Sequence, residues 1–230
     1  MRFRKEEAPN PLRAYFDAGP DRLLHKWMHY FDIYHRHLDP YRGKPVTVVE
    51  FGIYHGGSLR MWRDYFGRRA RIIGIDIDPR CAQLAEPGTE VVIGDQEDRE
   101  FLRRLRADVG PADVVIDDGG HTMPQQIATL EEMWPAVVDG GVYIVEDLHT
   151  SYWEEDFGGG WGKPGTMVEY TKGLIDEMHA WHTKERGHPP TDWTRSIRGM
   201  HVYDSVIVLD KATVSEPEVR KSGRPVFDDD

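Results

Sequence analysis

VTVVEF (46–51), RIIGID (71–76), EVVIG (90–94), DVVID (113–117) and GVYIVE (141–146) recur through the middle of the chain, each a short run rich in β-branched residues. Between them lie stretches such as SLRMWRDYF (58–66) and TMPQQIATLEEMWPAVV (122–138), whose apolar residues return every three or four positions. This alternation predicts parallel strands joined by right-handed crossover helices. Apolar runs without polar alternation predict strands covered on both faces. The expected fold class is therefore α/β, a single doubly wound, Rossmann-like domain whose ligand crevice lies at the carboxyl ends of the strands.

Working outward, DRLLHKWMHYFDIYHRHL (21–38) reads as an amphipathic packing helix with Leu24, Trp27, Met28, Phe31 and Leu38 on or near one side, within an N-terminal helical segment spanning 1–45. After the fifth strand, a loop from Ser151 to Gly165 holds Trp153, Trp161 and several glycines and is expected to act as a mobile lid. A helix from Met167 to Glu185 follows. SIRGMHVYDSVIVLDK (196–211), two strand-like halves around Tyr203 and Asp204, predicts a terminal antiparallel hairpin closing a core of 46–211. The polar tail 212–230 is expected to be disordered.

A formal net charge of −11 argues against a nucleic-acid or anionic-membrane surface, since both call for basic patches. Hydrophobic residues at 39% are enough for a globular core. The single Cys81 cannot form an internal disulfide and rules out a zinc site built from several thiolates, which points to a reducing cytoplasm. With no window resembling a membrane span or signal peptide, the expectation is a soluble, cytoplasmic protein with a small-molecule partner.

The first strand runs into Glu50-Phe51-Gly52-Ile53-Tyr54-His55-Gly56-Gly57-Ser58. Gly52 and Gly56 let the backbone turn sharply beside a ligand, and Ser58 is placed to cap the following helix. Asp76 ends the second strand, where an acid commonly accepts hydrogen bonds from a ribose diol, and Asp95 with Gln96 follow the third, where they would address an adenine amino group. Acids at strand ends also cap helices, but three successive positions favour an adenosine-bearing cofactor. Nicotinamide and sulfonium cofactors both qualify, although the usual G-x-G-x-x-G turn of the former is missing.

The fourth strand ends in Asp117-Asp118-Gly119-Gly120-His121 and the fifth in Glu146-Asp147-Leu148-His149. If these strands are neighbours, Asp118, Glu146 and Asp147 converge, and three like charges call for a cation such as Mg²⁺ or a similar divalent ion. His121 would stand beside it as general base, with His149 as the other candidate.

Taken in order, EFGIYHGGS (50–58), IDIDP (75–79), GDQ (94–96), DDGGH (117–121) and EDLHTSYW (146–153) resemble the S-adenosylmethionine-dependent, magnesium-dependent sugar O-methyltransferases of macrolide and rhamnosyl compounds and the related cephalosporin hydroxylase-like group. The resemblance covers about Asp21 to Lys211. It implies a seven-stranded methyltransferase sheet, metal ligands at Asp118, Glu146 and Asp147, and a base at His121. It also implies cofactor contacts at Glu50, Gly52, Ser58, Asp76, Asp95 and Gln96, with Asp117 near the methionine end. A family segment ahead of the first strand matches Lys26-Trp27-Met28-His29-Tyr30-Phe31 and implies that His29 or Tyr30 lines the cofactor pocket. Some macrolide members have a large extra N-terminal domain where this chain has residues 1–45, so their oligomer contacts are not carried over and a homo-oligomer is left open. Where some relatives have Gln in the E-D-x-Q segment, this chain has His149. The implied reaction is methylation of a sugar hydroxyl on a glycosylated natural product such as a polyketide, in antibiotic biosynthesis. The alternatives are a methoxylation-related methyltransferase acting on a β-lactam, a nicotinamide-dependent oxidoreductase and a non-catalytic cofactor-binding protein.

Overall fold

The computed structural model describes residues 9–184 and 187–226. Its elements are α1 (Pro11–Asp17), α2 (Tyr30–Leu38), β1 (Thr47–Phe51), α3 (Gly57–Phe66), β2 (Arg71–Asp76), β3 (Thr89–Ile93), α4 (Arg99–Val109), β4 (Ala112–Asp117), α5 (Met123–Met133), β5 (Val137–Val145), α6 (Met167–His179), β6 (Ile197–Tyr203) and β7 (Val206–Lys211). The seven strands form one sheet in the order β3-β2-β1-β4-β5-β7-β6. β1 to β5 pair in parallel, and the terminal hairpin adds antiparallel through β7 on β5.

Alternation along the strands divides the core into two layers. Val48, Ile72, Val114, Ile116, Ile144 and Val208 face Tyr30, Phe31, Tyr34, Leu59 and Trp62 on one side. Val49, Ile73, Val115, Tyr143 and Leu209 face Leu102, Leu105, Leu130, Met133 and Leu174 on the other. Both faces are covered over β1, β2, β4 and β5, as the unbroken apolar runs predict. β3 departs from that expectation, because it sits at the sheet edge and is only partly buried beyond Thr89. β5 begins earlier than its apolar run, at Val137, with a register shift against β4 between Ala112 and Val114.

The helix expected over 21–38 is present only from Tyr30. Residues 21–29 run as an irregular strap, leaving Trp27 55% and Met28 39% exposed where helical packing would have buried them. Polar contacts along the strap outweigh its helical periodicity. Arg22 donates to the Leu84 carbonyl and to Glu86, Asp21 accepts from Arg60, and the Leu23 backbone lies against the start of α3. α1 is an element the sequence reading missed, although Asn10 caps it through Leu12 N and Arg13 N, with Pro11 at its first position. The segment ahead of β1 is part of the domain core, since Tyr30, Phe31, Tyr34 and Leu38 are fully buried in it.

Residues 151–165 do not form a structureless loop: Gly159 N donates to Trp153 O, Gly160 N to Ser151 O and Met123 N to Phe157 O. The expected tail begins as an ordered continuation of β7, because Ala212 N donates to Ser196 O, Val214 N to Arg195 O and Thr213 to Asp139. Residues 227–230 of that tail, and the Glu185 end expected for α6, lie outside the described residues. No helix among the described residues is long and apolar enough to cross a membrane.

A Cβ at Gly57 would fall 2.3 Å from the Leu23 carbonyl oxygen, so α3 and the strap approach as closely as glycine allows. Gly57→Ala is expected to cost about 1–3 kcal/mol through overpacking. Hydrogen exchange should then show faster amides at residues 22–26 and unchanged protection in β1 and β4.

Candidate functional site

At the carboxyl ends of the parallel strands a cavity of about 730 Å³ runs from Leu24, Tyr54, Asp76, Ile77 and Asp95 to Asp118, His121, Glu146 and Asp147. Gly52 sets its floor. Its φ is 81°, and a Cβ there would lie 1.9 Å from the Asp118 carbonyl oxygen, so the turns after β1 and β4 touch backbone to backbone.

The half of the cavity at the ends of β1, β2 and β3 is organised by carboxylates that bind backbone amides. Asp76 Oδ2 accepts from Ile53 N and Tyr54 N at 3.0 Å each, and Oδ1 accepts from Asp78 N at 2.9 Å. The carboxylate therefore shapes the glycine turn while facing the cavity. Asp95, also on the cavity wall, accepts from Glu97 N at 2.8 Å. Gln96 reaches the wall, but its amide is turned inward, donating to Asp117 Oδ1 at 3.0 Å and accepting from Gly120 N at 2.9 Å. Asp95, the other residue expected at adenine, keeps its place on the wall. Asp117 is wholly buried and outside the cavity lining, where it supports Gln96.

Ser58 is not the cap of α3; Gly56, at φ 74°, occupies that position without a side-chain bond. The Ser58 hydroxyl instead donates to Glu50 Oε2 at 2.7 Å, and Trp62 Nε1 donates to Oε1 at 2.9 Å. Glu50 and Gly56 lie beneath the cavity lining, while Ser58 reaches it. Burial pushes the Glu50 carboxyl up to about 7, against Lys26 and the two donors, which pull it down.

The other half is the convergence expected from β4 and β5. Asp118, His121 and Asp147 place ligand atoms within 4.8 Å of one another, and Glu146 is fully buried beside them. A cation that sequence reasoning missed sits among these acids: Lys26 Nζ from the strap bonds Asp118 Oδ2 and, at 2.9 Å, Glu146 Oε2. Its side chain is 3% exposed. Burial alone lowers a lysine, but Asp118, Glu146 and Glu50 outweigh it and hold Lys26 above its ordinary value. Burial raises Asp118 and Glu146 in turn. Lys26 stood in the segment noted for His29 and Tyr30, yet a helical reading of 21–38 gave no reason to send it inward.

Tyr30 OH donates to Asp147 Oδ1 at 2.6 Å. Lys26 and Tyr30 thus hold one oxygen of each carboxylate. Of the others, Asp118 Oδ1 and Asp147 Oδ2 face His121 Nε2 at 3.8 and 3.4 Å, and Glu146 Oε1 is buried with no hydrogen-bond partner among the described residues. Once ionised, three carboxylates against one ammonium leave two negative charges, and the all-oxygen donor set fits a hard divalent cation, which would hold the raised carboxyls in the ionised form. His121, at φ 57°, has its carbonyl held by Thr150 Oγ1 at 2.9 Å. Burial lowers its pKa despite Asp147, which favours the neutral imidazole that accepts a proton.

His149 stands at the rim with its Nδ1 2.5 Å from Ser205 Oγ, its ring against Trp27 and Trp153. Tyr30 lines the cavity, whereas His29 turns away to the Asp204 carbonyl at 3.0 Å. Beyond His149, a second hollow of about 470 Å³ is lined by Leu148, Val168, Ile175, Met200, Val202 and Ile207 among others.

A family described as "Methyltransferase domain" matches residues 49–148, the stretch from β1 to the turn after β5. The 8-demethyl-8-alpha-L-rhamnosyl tetracenomycin-C 2'-O-methyltransferase of Streptomyces olivaceus is 36% identical over 190 residues, covering 79% of this chain and 50% of that protein. The demethylmacrocin O-methyltransferase of Streptomyces fradiae is 37% identical over 209 residues, covering 84% and 52%. Among solved structures, the MycE methyltransferase of the mycinamycin pathway, in complex with Mg, SAH and mycinamycin VI, superposes with a TM-score of 0.77 at 34% identity, covering 89% of this chain and 54% of that one. The chain spans about half the length of the curated relatives it matches.

Lys26→Met leaves the buried Glu146 and the part-buried Asp118 without their counter-charge and is expected to cost about 3–5 kcal/mol in chelator-treated protein, read by denaturant unfolding. A second outcome concerns Glu50, whose native pKa of about 7 lies above the ordinary 4.5. Such a group favours the native state while protonated, so its contribution is full below about 4.5 and is lost as pH rises through about 7. Glu50→Gln, which can still accept from Trp62, should flatten that part of the stability profile measured by thermal unfolding from pH 4 to 8.

Proposed function

We propose, from the premise that the chain belongs to the family of sugar O-methyltransferases matched above, that it methylates a hydroxyl of a deoxysugar on a glycosylated natural product. The convergence of Asp118, Glu146, Asp147 and His121 at the inner end of the cavity carries this reading. A nicotinamide enzyme would have no use for three acids and a neutral histidine gathered at one point.

When bound, S-adenosylmethionine supplies an electrophilic methyl group, and a divalent cation such as Mg²⁺ supplies positive charge beside the reacting oxygen. The free oxygens of Asp118, Glu146 and Asp147 would hold the cation, with Lys26 and Tyr30 fixing the carboxylates from behind. Asp76 and Asp95 stand where the adenosine end would lie, and the turn at Gly52 lets the backbone approach it. His121, kept neutral by burial, takes the proton from the acceptor hydroxyl, and its position against Asp118 and Asp147 orients the ring. His149, braced by Ser205 and the two tryptophans, walls the acceptor side. The apolar hollow beyond it suits an aglycone, and exposed Tyr152, Trp153 and Trp161 on the neighbouring turn supply flat surface for the same group.

Calorimetric titration with S-adenosylhomocysteine, with NAD⁺ as control, tests the cofactor class: binding of the first and none of the second is expected. With a glycosylated acceptor and Mg²⁺, His121→Gln should lower kcat by roughly 10²–10⁴ and leave S-adenosylhomocysteine affinity nearly unchanged. Turnover that persists in excess chelator would exclude the metal role.

A further inference from the structure

Away from the acidic centre, a second group of side chains has the composition of a metal site. His37 lies in the last turn of α2, His201 on β6 and Asp210 on β7. One ring nitrogen of each histidine and one carboxylate oxygen of Asp210 fall within 4.8 Å of one another, and all three residues are partly buried. His201 Nε2 is 3.0 Å from Asp210 Oδ2, and the two imidazoles sit 4.6 Å apart at an interplanar angle of 61°. Tyr203 OH lies 2.8 Å from His37 Nε2 and fixes that ring.

We propose that His37, His201 and Asp210 form a second metal site, selective for a borderline transition cation such as Zn²⁺, with the fourth position left to water. Donor chemistry separates it from the acidic centre. Two imidazole nitrogens and one carboxylate suit zinc, cobalt or nickel, whereas three carboxylates suit magnesium. Ligand atoms around tetrahedral zinc lie about 3.4 Å apart, given metal–ligand distances of roughly 2.0–2.1 Å. The His201–Asp210 pair is already closer than that, and the His37 nitrogen lies within 4.8 Å of both. The guanidinium of Arg198, 3.9 Å from Asp210 Oδ2, opposes a cation but is 58% exposed and free to swing into water.

The position gives the ion a structural consequence. α2 begins at Tyr30, which bonds Asp147, and the turn joining β6 to β7 holds Ser205, which bonds His149. An ion held between the last turn of α2 and the two strands of the hairpin ties them together and thereby steadies two walls of the reaction cavity. The site stands whether or not the methyltransferase reading is correct, because none of its ligands touches that cavity.

The test is a Co²⁺ titration of chelator-treated protein, followed by visible absorption. Wild type and His121→Gln, which removes the imidazole of the acidic centre, are expected to develop a four-coordinate band at one equivalent. Excess Mg²⁺ should leave that band in place, and Zn²⁺ should abolish it. His201→Gln and His37→Gln should lose the band and bind at least about tenfold more weakly, since even outer-shell partners of a ligand are worth roughly 10–100-fold in affinity. Asp210→Asn provides the same reading if a histidine variant folds poorly by circular dichroism. No band in wild type, or a full band that survives His201→Gln or Asp210→Asn, overturns the site.

Discussion

The ammonium of Lys26, enclosed between Asp118 and Glu146, is the contact on which the architecture of the crevice turns. Removing a lysine and two carboxylates from water is costly, and it becomes tolerable only when the charges meet in good geometry. Meeting that condition obliges residues 21–29 to leave helical form, pass over the start of α3 and close one side of the cavity. The same contact sets Leu24 and Trp27 on the cavity lining and leaves Met28 part exposed. One ion pair thus links the path of the N-terminal segment, the shape of the ligand cavity and the charge of the acidic centre.

Polar side chains below the cavity work in pairs with the backbone turns above them. Glu50 anchors Ser58 and Trp62 under the first turn, and Gln96 with Asp117 anchors Gly120 under the fourth. Room is tight enough that a Cβ at Gly119 would fall 1.6 Å from Gln96 Oε1. Rigidity of this kind keeps the turns at the cavity in register without help from a bound ligand. His121 and Asp147 add to it, since both adopt left-handed backbone conformations that only well-packed surroundings sustain.

Much of this was legible in the sequence. The fold follows from the strand and helix periods, and strand order then dictates that the ends of β4 and β5 lie side by side, which is why Asp118, His121, Glu146 and Asp147 converge as read. What periodicity cannot give is direction. Asp76, Asp95, Gln96 and Asp117 all follow strands at the crevice, yet a side chain there can face a ligand or satisfy its own turn. Gln96 and Asp117 face inward, Asp76 does both, and no local pattern distinguishes them. Lys26 was hidden for a different reason: its burial depends on partners distant in sequence, and its neighbours imitate a helix well enough to conceal the strap.

That distance has a consequence for how the molecule assembles. Lys26 lies 92 positions from Asp118 and 120 from Glu146, so the strap is synthesised long before either partner exists. Contacts of such long range carry a large loop-closure cost, which falls once the parallel strands have closed the intervening loops. The segment made first is thus the one whose place depends on the parts made later.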